Sequence, residues 1–321
     1  MSIVNDWRLR VAGGMATASM LWEACCIPSL LHGAGTWVQM SAKTEKKLNN
    51  LQFWFLRLVL QVGPGAPNAA LLWDSGFLDM GLRVWREKIM LVLHLRCLEE
   101  SSLASQMYRE QKENNWPGLA AEVEEICKEL GIESVNSAQG LDVKKYRQYV
   151  TEACHKLNEI RIKKSIENSV KCQRIKNENY GSREYLNKKD IHYARDLFRA
   201  RYGLKEFAGN YSRNKKYEKT NWQCKCKQAK EDESHLIEGN CEIYKDIRGS
   251  YEDLDSDENL LAFFNEVLER RGKMEEEERA GVQHLSSPLA GGEPTPPVEL
   301  VAAPAATRRL GDSNVQLVDH Q

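Results

Sequence analysis

Residues 222–248, WQCKCKQAKEDESHLIEGNCEIYKDIR, decide how the C-terminal part of this chain folds. Cys224, Cys226, His235 and Cys241 lie within 18 residues, and no other part of the sequence has such a cluster. Three thiolates and one imidazole complete a tetrahedral ligand set for Zn²⁺. So short a segment cannot bury enough apolar surface to fold alone, so its folding should depend on the metal. The sequence predicts a small CCHC-type zinc-binding knuckle.

The spacing of the two leading cysteines leaves other interpretations open. Cys224-x-Cys226 is tighter than the usual Cys-x₂-Cys, which makes chelation through both sulfurs harder. Both can ligate if the chain between them is extended and the metal lies to one side. Otherwise Cys226, His235 and Cys241 would form a weak, open three-ligand site. The remaining alternative is a polar surface loop whose cysteines bind no metal.

The charge of the chain is distributed unevenly around this cluster. The 321 residues carry a formal net charge of -1, and 42% of them are hydrophobic, which supports a folded core of two or three modest domains. Residues 141–228 contain 23 lysines and arginines against 10 aspartates and glutamates. A basic middle beside an acidic C-terminal region predicts a polyanion-binding surface.

Within this basic region, residues 188–227 interleave cations with aromatic side chains. Cations can neutralise phosphates, and aromatic faces can stack on unpaired bases, so RNA or single-stranded DNA is the expected partner. The alternative is a solvated helix face and loop, and the adjacent zinc cluster favours nucleic acid. The predicted nucleic-acid-binding residues are Arg195, Arg199, Arg201, Lys205, Arg213, Lys215, Lys216, Lys219 and Trp222.

The cysteines and the apolar stretches indicate in which cellular compartment the protein is expected. Nine cysteines, an odd number, with several of them single in helical patterns, do not form a secreted disulfide framework. The first residues, MSIVNDWRLR, lack the layout of a signal peptide. The most apolar stretch, residues 20–31, is too short for a bilayer and contains Glu23 and Pro28. We expect a nuclear or cytoplasmic protein without a membrane span.

Hydrophobic periodicity predicts an all-α chain with no strand-rich region. A bend or break is expected near Pro28, and Gly131 is expected just after the end of its helix. Four glutamates at residues 275–278 lead into a Pro/Ala/Gly-rich tail, so residues from about 274 onward are predicted to be disordered. The predicted helices span residues 15–31, 43–62, 67–72, 82–98, 119–130, 142–177, 190–202 and 258–271.

Three motifs that would indicate an enzyme are absent from the sequence. There is no Walker loop and no Gly-x-Ser-x-Gly motif. No Asp-Asp pair occurs anywhere, whereas a two-metal polymerase needs clustered aspartates to hold Mg²⁺. We therefore expect no catalytic activity from this chain alone.

Several stretches resemble the reverse transcriptases of non-LTR (LINE-type) retrotransposons. LWEACCIPSLLHGAGTWVQM at residues 21–40, followed by KKLNNLQFWFLRLVLQV, resembles the segment just after the palm, with His32 in place of the usual tyrosine. Residues 67–95 resemble the thumb-proximal stretch, and residues 106–132 resemble the connector. The basic, aromatic-rich arm at residues 207–220 and the Cys/His cluster resemble the post-thumb region, which ends in a zinc knuckle.

This resemblance implies a thumb-like helical domain at residues 1–100 and a helical connector at residues 101–187. A basic arm with the zinc knuckle and a terminal helix would occupy residues 188–272, and a disordered tail residues 273–321. The chain would be a non-catalytic, nucleic-acid-binding C-terminal fragment of a retrotransposon reading frame, truncated or taken over as a cellular gene. The alternative is a structural protein that binds a partner through the apolar face of residues 258–271, or a relic without function.

Overall fold

The computed structural model describes residues 14–135, 142–175, 180–181, 183–187, 190–205, 207, 223–238 and 241–285. These residues are helical and contain no β-strand; one isolated bridge joins Gln223 and Lys230. The predicted all-α class is confirmed. In the part of the chain so described, no helix is both long enough and apolar enough to cross a bilayer.

The helices are numbered in chain order, and short 3₁₀ or π turns lie between some of them. The α-helices are α1 Gly14–Leu21, α2 Ile27–Leu30, α3 Ala42–Leu60, α4 Asn68–Ser75, α5 Met80–Cys97, α6 Leu103–Glu113, α7 Leu119–Leu130, α8 Val143–Glu167, α9 Glu184–Asn187, α10 Ile191–Arg201, α11 Glu233–Ile237, α12 Lys245–Gly249 and α13 Asp257–Leu285.

The interruption expected near Pro28 occurs as a π-helical turn at Trp22–Cys26, which separates α1 from α2. Proline has no N–H and its ring crowds the preceding turn, and a wider turn relieves both problems. Pro28 itself lies in the first turn of α2. The buried Trp22 ring stacks on Phe55 of α3 at a centroid distance of 4.4 Å. The turn thereby places a large aromatic side chain in the N-terminal core.

Helix α6 was not predicted, because its apolar residues do not face the core. Leu103 and Met107 are 71% and 62% exposed, whereas Ser105 and Tyr108 are buried. The apolar periodicity that indicates a helix is therefore missing from this segment. In contrast, α7 begins and ends where predicted, and Gly131 follows it with a φ of +67°.

The long helix α8 packs against α4 and α5. Its buried residues recur at every fourth position from Tyr146 to Ile166. Asp142 begins the helix by accepting hydrogen bonds from the N–H groups of Lys144 and Lys145. The helix ends at Glu167, and a separate 3₁₀ segment, Val170–Ile175, follows it. The single helix predicted over residues 142–177 is therefore interrupted after Glu167.

The last helix is longer than predicted, since α13 continues to Leu285 instead of ending at residue 271. Glutamate, arginine and lysine are good helix formers, and pairs one turn apart support them. Lys273 and Glu269 lie 2.8 Å apart, and Arg279 and Glu275 lie 3.8 Å apart. The first residues of the predicted disordered tail are thus helical, and residues 286–321 lie outside the described chain.

The chain divides into two units at Lys273, and the first unit contains the core. In that unit the apolar face of α13 is buried inside the protein. Phe263, Phe264 and Val267 are fully buried, and the Phe264 ring lies 5.1 Å from that of Phe207. The face predicted to dock onto a partner is therefore occupied by this chain's own side chains.

Candidate metal centre

A tight turn carries the first two cysteines of the cluster. The N–H of Cys224 donates to the carbonyl of Ala229, and the N–H of Lys227 donates to the carbonyl of Cys224, both at 2.8 Å. Lys227 adopts a left-handed conformation with a φ of 62°. A turn, not an extended chain, therefore brings the Cys224 and Cys226 sulfurs to one site despite their short spacing.

A short helix positions the histidine of the cluster. Asp232 precedes α11, and its Oδ1 accepts a hydrogen bond of 3.1 Å from the N–H of His235. This cap fixes the first turn of α11. His235 is buried, and its Nε2 lies 3.2 Å from Sγ of Cys226.

Cys241, the fourth residue of the cluster, lies next to Cys224. Cys241 lies just before the 3₁₀ turn Glu242–Tyr244, and its Sγ is 3.5 Å from Sγ of Cys224. The ligand atoms of all four residues lie within 4.8 Å of one another. Two sulfurs bound to one tetrahedral zinc-sized ion would lie about 3.8 Å apart. The four predicted ligands therefore form a Cys₃His cluster that can hold a metal ion.

The three thiols have different environments. Burial raises the pKa of Cys224 and that of Cys241, whose side chains are almost fully enclosed. Partial burial acts in the same direction at Cys226, but hydrogen bonds outweigh it and lower the pKa of that thiol. One of them is donated by the N–H of Gln228 at 3.5 Å. A bound cation would favour the thiolate form of all three.

Contacts with α13 connect the metal segment, residues 222–248, to the rest of the protein. Glu231 and Arg271 of α13 form an ion pair of 2.9 Å, and both side chains are at most 9% exposed. Arg270 donates to the carbonyl of Ile243 at 3.0 Å. Leu236 and Tyr244 are each 1% exposed. No local sequence pattern indicates that Arg271 is the ion-pair partner of Glu231.

Two predicted nucleic-acid-binding residues are buried. Arg201 donates from Nη1 to both carboxylate oxygens of Asp257, at 2.6 and 2.7 Å. Lys205 donates from Nζ to Oδ1 of Asn265 at 3.1 Å. Their side chains hold α13 against the preceding segment, so they face no solvent from which a phosphate could reach them. Lysine and arginine are exposed in most proteins, but these two are engaged inside the fold.

The other predicted contacts divide into two groups. Arg195 and Arg199 are half-buried beside Gln61, donating to its side-chain and backbone oxygens at 3.2 and 3.0 Å. The remaining five fall outside the described residues: Arg213, Lys215, Lys216, Lys219 and Trp222.

A buried charged cluster around Asp74 has no counterpart among the residues predicted from the sequence. Asp74 is fully buried in α4 and accepts a 2.5 Å hydrogen bond from the hydroxyl of Tyr185. The Nε atoms of Arg183 and Arg201 each lie 3.4 Å from its oxygens. One carboxylate thus joins α4, α9 and α10. The signal that could have found it is a lone aspartate within the apolar run NAALLWDSGF.

Comparison with known proteins identifies no relative. No protein-family model matches the chain, and no curated protein or solved structure matches it. The Cys₃His cluster and the distribution of charge therefore carry the functional argument.

Proposed function

We propose that this chain is a non-catalytic nucleic-acid-binding protein whose C-terminal module is stabilised by one Zn²⁺. The Cys₃His cluster carries the proposal. Thiolate and imidazole ligands in a tetrahedral set suit Zn²⁺. Four protein ligands leave no open position for water or substrate, which favours a structural site over a catalytic one.

The nucleic-acid part of the proposal rests on charge. Residues 141–228 are strongly basic in a chain that is almost neutral as a whole. Such a local excess of cations attracts polyanions, and aromatic residues nearby favour unpaired RNA or DNA strands. The resemblance to the post-palm region of LINE-type reverse transcriptases points in the same direction. In that hypothesis the chain comprises a thumb, a connector and a zinc knuckle, and it has no palm of its own. It would act in the nucleus or the cytoplasm.

Fluorescence anisotropy on the full chain tests this proposal. Labelled single-stranded RNA and DNA of about 20 nucleotides should bind at low salt and weaken steeply as salt rises, since bound phosphates release counterions. Chelating the zinc should lower the affinity, because the module beside the basic arm would lose its fold. Absence of binding to either strand at low salt would contradict the proposal.

One observation favours a different function, an interaction with another protein. Leu103, Met107 and Trp116, in and just after α6, are all more than half exposed. Large apolar side chains exposed near one another often mark protein-binding surfaces. Crosslinking in cells separates the two candidates: RNA would be recovered with a nucleic-acid-binding protein, and only protein with an interaction module.

A further inference from the structure

Most of the basic side chains of α8 form no ion pair with the residues that the structure describes. Arg161 is the exception: it lies 2.6 Å from Glu129 and 5.1 Å from the centre of the Trp85 ring. The other side chains form neither an ion pair nor a hydrogen bond with any residue that the structure describes. They are Lys144, Lys145, Arg147, Lys156, Lys163 and Lys164.

Three of these lysines lie in one row with two exposed apolar side chains. The row, which we call the α8 ridge, consists of Lys145, Tyr149, Lys156, Ile160 and Lys163. Their spacings of 4, 7, 4 and 3 residues keep them on one face of the helix. Tyr149 is 45% exposed and Ile160 is 57% exposed. At 1.5 Å per residue the ridge is about 27 Å long.

An ordinary solvated helix face would pair these lysines with the acidic residues beside them. Glu152 and Glu159 lie one turn before Lys156 and Lys163, in the favourable order. Neither pair forms; Glu152 instead accepts a hydrogen bond of 2.8 Å from Nε2 of Gln148. Within α8 basic residues outnumber acidic ones by seven to three, so the exposed side keeps an excess of positive charge.

We propose that the α8 ridge is a binding surface for single-stranded nucleic acid. This inference rests on the proposed function and assigns it to residues separate from the predicted arm. The lysine ammonium groups, about 16 and 10 Å apart along the helix, would contact separate phosphates of one strand. Tyr149 would stack on one base between them, and Ile160 would contact another. Stacking on Tyr149 requires an unpaired base, so a single strand fits this surface better than a duplex.

Matched triple variants of the full chain test the ridge. Lys145→Gln, Lys156→Gln and Lys163→Gln together should weaken binding of oligo(U) and oligo(dT) roughly tenfold or more. If each lysine contacts one phosphate, the slope of log affinity against log salt should decrease by about 2. The control combines Lys43→Gln, Lys46→Gln and Lys47→Gln, which removes the same charge from exposed positions of α3. Its affinity should stay within about twofold of wild type.

The tyrosine gives a second readout that charge alone would not change. Tyr149→Ala should lower affinity roughly tenfold at an unchanged salt slope, and Tyr149→Phe should retain binding. If both triple variants lose affinity equally, the ridge is overturned and the effect is one of total charge. If wild type binds and the ridge variants match it, only the ridge is wrong. If wild type fails to bind, the proposed function itself is wrong.

Discussion

The carboxylate of Glu231 and the guanidinium of Arg271 meet 2.9 Å apart inside the protein. Glu231 lies between Cys226 and His235 of the Cys₃His cluster in sequence, and Arg271 lies on α13. The Cys₃His segment is therefore part of the folded unit and not an appended knuckle. In our account the metal shapes the segment, and this ion pair fixes it to the helix.

Arg271→Met should destabilise the protein by about 3 kcal/mol, because it leaves the Glu231 carboxylate buried without this partner. Urea unfolding followed by circular dichroism measures the change. Lys273→Met removes an exposed, solvent-screened cation from the same helix and should change stability far less than Arg271→Met. Adding Glu231→Gln to Arg271→Met should recover part of the loss. Equal effects of the two single variants would show that the buried pair has no special role.

Tyr185→Phe should destabilise the protein by about 2 kcal/mol, because Asp74 loses a charge-assisted hydrogen bond in a fully buried site. Burial and the neighbouring Asp74 raise the pKa of Tyr185, so its hydroxyl remains a donor. Tyr149→Phe provides the control, since Tyr149 is 45% exposed and its hydroxyl bonds to no residue that the structure describes. Thermal unfolding compares the two; a change below about 0.5 kcal/mol in Tyr185→Phe would contradict the Asp74 cluster as described.

Raising the pH should destabilise the protein through Tyr180. Burial raises the pKa of Tyr180 to about 12, and its hydroxyl accepts a hydrogen bond from Asn158 at 2.8 Å. The unfolded chain loses this proton near pH 10. The folded state therefore keeps a proton that the unfolded state releases, and stability should fall from about pH 10 to pH 12. Burial also raises the pKa of Tyr146 and of Tyr202, so Tyr180→Phe should reduce the loss of stability in this range without abolishing it. An unchanged pH dependence would mean that the Tyr180 side chain is exposed in solution.

Lys227→Gly should tighten metal binding about fivefold, because glycine adopts a φ of 62° without the strain that lysine carries. Competition with a chromophoric chelator measures the affinity. Lys227→Ala removes the same charge and keeps the strained conformation, so it should bind the metal as wild type does. If both variants shift affinity equally, charge and not backbone strain determines the effect.

The features that the sequence predicted depend on neighbouring residues. Leu119–Leu130 has a regular apolar stripe and a terminal glycine, so both of its ends could be placed. The metal cluster could be predicted because its four ligands are close in sequence, and the cap on His235 comes from Asp232, three residues earlier.

The features that the sequence did not predict depend on distant partners. Arg201 pairs with Asp257, 56 residues later, and Tyr185 reaches Asp74 across 111 residues. No local pattern distinguishes such buried cations from solvent-exposed ones. Helix α6 was not predicted for a related reason. Its apolar side chains Leu103 and Met107 face outward, and Tyr108 is buried against residues of other helices.

Zinc content of the purified full chain tests the central claim most directly. Elemental analysis should find one Zn²⁺ per wild-type chain and the same amount in Cys97→Ser, which removes an exposed cysteine remote in sequence. Cys226→Ser should lose the metal and become sensitive to protease within residues 223–250, while the helices before Leu98 stay protected. Wild-type protein without stoichiometric zinc, whose proteolysis is unchanged by added zinc, would contradict the account.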